Sequence, residues 1–301
     1  MLRCYMHPLF GEHDPGFGHP ERPARYAAVQ AAVRASGASV AEAPAARREE
    51  LERVHPAAYL DALEAFADRG GGALDPDTIV GPMTFEAASH AAGAGVAAVD
   101  AILDGELTAG FCTGRPPGHH AEPQRPMGFC LINSAAVAAA HARARGVERV
   151  AVLDWDAHHG NGTQRAFYAD PSVIYVSLHQ WPFYPWTTGA AEERGEGDGE
   201  GANLNIPLPA GIGERRYLEA FSEVALPALE VFAPGLVVVS AGFDGHRDDP
   251  LCDLGLSPQA FAEMASALDG IGAGRAFVLE GGYDLAGLEA SVGAVLDAVA
   301  A

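Results

Sequence analysis

Cysteine is scarce in this chain of 301 residues: Cys4, Cys112, Cys130 and Cys252 are scattered and form no CxxC pair. They offer no disulfide framework and suit a reducing compartment. No apolar run reaches the roughly 18 residues that a membrane span needs. The opening MLRCYMHPLFGEHD lacks the charged, apolar and small-residue regions of a signal peptide. A cytoplasmic protein without a membrane partner is the expectation. Basic residues are also few, 19 against 40 acidic ones, for a formal charge of −21. Such a surface repels nucleic-acid phosphates and favours cationic small molecules or basic peptides. No repeat and no linker interrupts the chain, so one domain over residues 1–301 is expected. With 49% hydrophobic and 20% charged residues, the chain can bury a sizeable core.

Apolar β-type runs recur: AGFCTG (109–114), VAVLDWD (150–156), SVIYVSLH (172–179), GLVVVSAGFD (235–244) and RAFVLEGGY (275–283). Between them lie Ala-rich helical stretches at 132–146, 214–232 and 258–271. In the last, Phe261, Met264, Ala265 and Leu268 follow the i, i+3, i+4, i+7 spacing of a helix packed on a sheet. Strands alternating with helices predict an α/β fold with a mostly parallel sheet. The runs are apolar throughout, as in sheets covered on both faces. The Gly/Glu-rich segment 189–205 reads as an exposed loop.

Ligands of open α/β sheets bind beyond the carboxyl ends of the strands. Here VAVLD runs into WDAHH, VVVSAGF into DGH, and FVLE into GGYD. Alternate residues of an extended chain share a side, so Asp154, Asp156 and His158 point the same way. Carboxylates crowded in a crevice need a positive partner, usually a divalent metal. Asp156, His158 and Asp244 supply an O, N, O set that leaves a coordination position open, as in catalytic zinc sites. A lone DxH is more often a turn histidine beside a helix cap, but this one has company. The run RPPGHHAEPQRPMGFCLINSAA (115–136) aims adjacent His119 and His120, which can hold different protonation states, one as general base. Tyr283 in GGYD is an oxyanion donor in waiting.

With these residues in view, the chain resembles the zinc-dependent histone deacetylases of the wider arginase/deacetylase fold. The matching motifs are HPERPARY (19–26), RPPGHHAE (115–122), GFCLINSAA (128–136), VLDWDAHHGNGTQ (152–164), VSLHQ (176–180), SAGFDGHRDDPL (240–251) and LEGGYDL (279–285). They occur in the family's order over nearly the whole chain. Asn161 in HHGNG resembles the class II branch and its bacterial amidohydrolases, which include acetylpolyamine amidohydrolases.

The resemblance implies hydrolysis of acetyl-lysine side chains or acetylpolyamines. Asp156, His158 and Asp244 would hold zinc, for which iron(II) or cobalt(II) also suits the ligands. His120 would be the general base, His119 would pair with Asp154, and Tyr283 would stabilise the oxyanion. Asn161 would orient His120 and, being uncharged, leave its pKa lower than an aspartate would. A potassium ion is implied at Asp154, the Ser177 hydroxyl and backbone groups of Asp156, His158 and Leu178. Gly128, Phe129, Tyr184 and Gly282 would bind substrate, Phe129 and Tyr184 as the aromatic walls of a tunnel. Arg25 matches an arginine behind the zinc, and Trp186 in FYPWTTG departs from the family pattern at the mouth. Oligomeric state, a homo-oligomer included, is left open. An arginase-type binuclear ureohydrolase would need more strand-end aspartates, and a non-catalytic module would have lost a ligand or the tyrosine.

Overall fold

The computed structural model describes residues 1–301. Its strands are β1 (Leu2–Met6), β2 (Ser39–Glu42), β3 (Gly72–Ala73), β4 (Ile79–Val80), β5 (Ala109–Cys112), β6 (Val150–Asp154), β7 (Val173–Gln180), β8 (Asn203–Leu208), β9 (Leu236–Ala241) and β10 (Gly274–Leu279). Eight form one sheet in the order β2-β1-β5-β10-β9-β6-β7-β8, while β3 and β4 make a separate antiparallel ribbon. All pairings of the large sheet are parallel. Parallel neighbours need long crossovers, and helices supply most of them. These are α1 (Ala24–Ser36), α2 (Arg48–Leu51), α3 (Ala57–Asp68), α4 (Thr84–Leu103), α5 (Ser134–Ala144), α6 (Asn161–Phe167), α7 (Glu214–Ala220), α8 (Leu226–Phe232), α9 (Pro258–Ala267) and α10 (Leu285–Ala300).

The period of two along a strand divides the interior in two. Ala151 and Leu153 of β6, with Val237 and Val239 of β9, join a core built with α1, α9 and α10. Val150 and Val152, with Leu236 and Val238, face the other way, onto α4 and α5. Burying each Val or Leu contributes about 1.5–3 kcal/mol, so both registers are strongly fixed. Local signals start the helices. Asn133 caps α5 by accepting the Ala136 N–H, Ser257 caps α9 ahead of Pro258, and Asp284 caps α10 through the Gly287 N–H.

Three strands of the large sheet, β1, β2 and β8, lie outside the apolar runs. The segment 189–205 is therefore not all exposed loop: its last residues begin β8, where the Asn203 and Asn205 amides both donate to Gln164. Pro207 is tolerated there because β8 is an edge strand, paired only with β7. The stretch 214–232 is also not one regular helix. A π-turn over Phe221–Ala225 separates α7 from α8, which opens with Pro227 near its start. No helix is long and apolar enough to cross a membrane.

Candidate active site

The carboxyl ends of β5, β10, β9, β6 and β7 lie side by side in the sheet. Asp154 closes β6, opposite Ser177 of β7. One of its carboxylate oxygens accepts from His119 Nδ1 at 3.0 Å and from the Tyr175 hydroxyl at 2.9 Å, and the other accepts the Asp156 N–H. The chain between β6 and α6 must then pass very close to this knot. A Cβ on Gly160 would stand 2.3 Å from Asp154 Oδ2 and 3.0 Å from His119 Nδ1, which is why HHG continues with glycine.

Asp156, His158 and Asp244 converge as the sequence predicts. His158 Nδ1 lies 3.1 Å from Asp156 Oδ1 and 2.8 Å from Asp244 Oδ2. The remaining carboxylate oxygens are held by backbone donors: Ala157 N to Asp244 Oδ1 at 2.7 Å, and Gly281 N to Asp156 Oδ2 at 2.8 Å. A Cβ on Gly281 would sit 2.4 Å from Asp244 Oδ2 and 2.6 Å from Asp156 Oδ2. Only glycine lets the segment after β10 close over the pair. Burial and the neighbouring Asp156 raise the Asp244 carboxyl to about 7. Burial disfavours charge on His158 too, yet Cys252 and the two carboxylates drive its pKa well above the usual value. Three fixed donors of O, N, O type, two of them carboxyl groups, fit a divalent ion such as zinc.

His119 and His120 share a backbone and differ in everything else. Burial opposes charge on His119, but Asp156 and Asp154 outweigh it and bring its pKa up to about 10. His120 falls well below its ordinary value through burial, His119 and His158. Its Nδ1 lies 2.9 Å from Asn161 Oδ1.

His120, His158 and Tyr283 line a cavity of about 190 Å³. Gly128, Phe129 and Tyr184 line it as expected, joined by Phe183, Leu251 and Asp77. The Phe183 ring stacks on His158 at 5.2 Å, and Tyr184 meets His120 edge-on at 5.0 Å. Phe129, in a left-handed conformation, sets its ring edge-on to Tyr283 at 5.8 Å. Gly282 is not a wall of the cavity; its carbonyl accepts from Arg25 Nε at 2.6 Å. The Arg25 guanidinium lies 5.0 Å from the Tyr283 ring centroid. The Tyr283 hydroxyl has no hydrogen-bond partner in the protein, although its backbone N–H donates to Asp249. Burial, chiefly, keeps its phenol protonated well past the usual range. Trp186 is 64% exposed and packs on Phe183, outside the cavity wall. A larger surface cavity of about 750 Å³, beside α2, α3 and α4, contains none of these groups.

Sequence reasoning missed several participants. Glu280 accepts the Gly118 and His119 N–H groups at 2.6 and 3.1 Å, and burial raises its pKa to about 7. Its place at the carboxyl end of an apolar strand was the available signal. Cys252 brings its sulfur within 3.7 Å of His158 Nε2, and Glu122 reaches Asn161. Nothing in the local sequence marks Cys252, and Glu122 closes the RPPGHHAE motif without its contact being readable from it.

A buried carboxylate–imidazole–carboxylate set, a histidine pair and an unpartnered tyrosine beside one aromatic-lined cavity suit amide hydrolysis of the deacetylase type. Residues 19–299 match the family described as histone deacetylase domain, and the chain belongs to that zinc-dependent family. It is 44% identical to the histone deacetylase-like amidohydrolase of Pseudomonas aeruginosa over 276 residues, 88% of this chain and 73% of that protein. The crystal structure of the HDA15 HD domain superposes with a TM-score of 0.96 at 37% identity, over 99% of this chain and 87% of that one. The acetylpolyamine aminohydrolase of Burkholderia pseudomallei gives 0.92 at 34% identity, over 100% of this chain and 99% of that one. The fold is thus the arginase/deacetylase type, and the arginase-type and non-catalytic readings give way to an amide-hydrolysing enzyme.

Proposed function

We propose that the chain, acting as one catalytic unit over residues 1–301, removes acetyl groups from primary amines carried on unbranched alkyl stems. Acetyl-lysine side chains and acetylpolyamines are the substrates of that shape. The observation that carries this reading is that His120, His158 and Tyr283 line one cavity together with Phe129, Phe183 and Tyr184. Phe129, Phe183 and Tyr184 would grip the methylenes and exclude water. Asp77 at the wall and the −21 charge favour a substrate with a further cation. Gly128 and Gly282 support the binding residues from the backbone.

Asp156, His158 and Asp244 would hold zinc, whose Lewis acidity polarises an amide carbonyl and acidifies water. The network fixes the proton on His120. The Asn161 Nδ2 faces only acceptors, so Oδ1 faces His120 and must receive a proton from its Nδ1. Nε2 is left basic, and the lowered pKa keeps it free to take the proton of the attacking water. The same atom then protonates the departing amine. His119, held by Asp154, would support the charge that develops on the carbonyl oxygen. The Tyr283 hydroxyl donates to the carbonyl oxygen as it gains charge. For a structural potassium ion we infer Asp154, Ser177 and the backbone of Asp156, His158 and Leu178. Four free thiols suit a cytoplasmic setting.

Acetate release from an acetyl-lysine peptide and from acetylputrescine, with chelator and after zinc re-addition, tests the reading. Chelation abolishes turnover and zinc restores it, and His120→Ala binds one zinc per chain without turning over. Turnover indifferent to chelator, or loss of zinc from His120→Ala, overturns it.

A further inference from the structure

The proton on His120 depends on which way round the Asn161 amide sits. Turned by 180°, the amide would offer an N–H to Nδ1, the imidazole proton would move to Nε2, and the basic atom would be lost. His120 alone does not choose, because either tautomer forms one hydrogen bond with an amide. The choice is made behind Asn161. Its Nδ2 lies 3.3 Å from the His120 carbonyl, 3.3 Å from the Met127 sulfur and 3.0 Å from Glu122 Oε1. A flipped amide would press its oxygen against all three acceptors. The carboxylate is the strongest of them, since a charged acceptor roughly doubles a hydrogen bond.

Glu122 is itself held for this contact. It lies two residues beyond His120, and its backbone exchanges hydrogen bonds with Arg125 at 3.0 and 3.3 Å in a tight turn. It is not a wall of the substrate cavity. It borders instead a groove of about 430 Å³ shared with Asn161, Arg165 and Glu193. No side-chain cation pairs with it at the surface, so Asn161 is its only side-chain partner.

We propose that Glu122 is a positioning residue that locks the Asn161 amide and, through it, the Nδ1–H tautomer of His120. Glu122 serves this chain where an aspartate at position 161 would need no such lock. The kinetic consequence rests on His120 being the proton acceptor; the tautomer itself does not.

Long-range ¹⁵N–¹H spectra of the zinc-loaded enzyme report the His120 tautomer directly. The wild type shows Nδ1–H, and Glu122→Gln, whose amide oxygen still accepts, keeps it. Glu122→Ala shows an Nε2–H population and loses roughly tenfold in kcat, a fraction of what general base catalysis supplies, with KM unchanged. In Asn161→Asp two carboxylates face each other, so adding Glu122→Ala raises activity where alone it lowers it. That reversal cannot come from a generally damaged fold. An Nδ1–H signal and wild-type kcat in Glu122→Ala overturn the proposal, as does a double variant no better than Asn161→Asp. Turnover retained by His120→Ala sinks the general-base reading instead and leaves the tautomer measurement decisive.

Discussion

Tyr283→Phe separates catalysis from folding more sharply than any other substitution in the site. The hydroxyl it deletes has no hydrogen-bond partner in the protein, so no intramolecular bond is lost. The ring remains, and with it the edge contact to Phe129 and the Arg25 guanidinium at 5.0 Å. Stability should therefore change by less than about 0.5 kcal/mol, below the net worth of an ordinary hydrogen bond. In a chain of this size that moves Tm by less than about 2 °C. Catalysis should respond quite differently. A donor that bonds only to the developing oxyanion is worth about 2.7–4 kcal/mol, or 10²–10³ in kcat, with little change in KM. Acetate release from an acetyl-lysine peptide gives kcat and KM, and thermal melts on the same zinc-loaded protein give the stability. A kcat within threefold of wild type removes Tyr283 from the mechanism. A fall in Tm of more than about 5 °C shows that the hydroxyl had a structural partner, and the premise of the argument is then wrong.

Two further outcomes test the metal cradle and the buried polar scaffold. Gly281→Ala puts a Cβ 2.4 Å from Asp244 Oδ2 where ordinary contact begins at 3.4 Å, so a carboxylate must yield by about 1 Å. Zinc affinity in chelator competition should fall by roughly 10–100-fold, and an unchanged affinity contradicts the closeness of Gly281 to the carboxylates. His55 is buried with both nitrogens engaged as a neutral ring, Nδ1–H donating to the Pro123 carbonyl and Nε2 accepting the Asn133 N–H. Burial lowers its pKa from 6.5 to about 4. A lowered folded-state value favours the neutral form, so its contribution is complete above pH 6.5 and declines as pH falls towards 4. That gap is worth about 3 kcal/mol, of which about 2 is lost by pH 5. Urea unfolding at pH 7 and pH 5 should show the wild type losing about that much more than His55→Gln. Equal losses in the two proteins would refute the neutral buried ring.

What the sequence makes legible follows from where the physics is local. β6, β9 and β10 are read correctly because a strand buried on both faces must be apolar throughout, and a polar residue at its end has nowhere to go but the crevice. Asp156, His158 and Asp244 are placed by that rule alone. β8 escapes it because an edge strand can carry Asn203, Asn205 and Pro207, residues that look like loop. Phe183 escapes because adjacency to Tyr184 does not say which ring turns inward; the two take His158 and His120 respectively. Glu122 is the deepest omission, and it has a different cause. Asn161 announces itself in HHGNG, but an amide is a question rather than an answer: its usefulness to His120 depends on which end faces the ring. That is decided by a group met only after residues 120–127 fold back over the start of α6. In α6 the Gly162 and Thr163 N–H groups donate to the His119 carbonyl, fixing the two segments in register. Residues that perform chemistry at a strand end can be found by pattern. Residues that orient them are chosen by tertiary contacts, and a protonation state rests on the second kind as much as on the first.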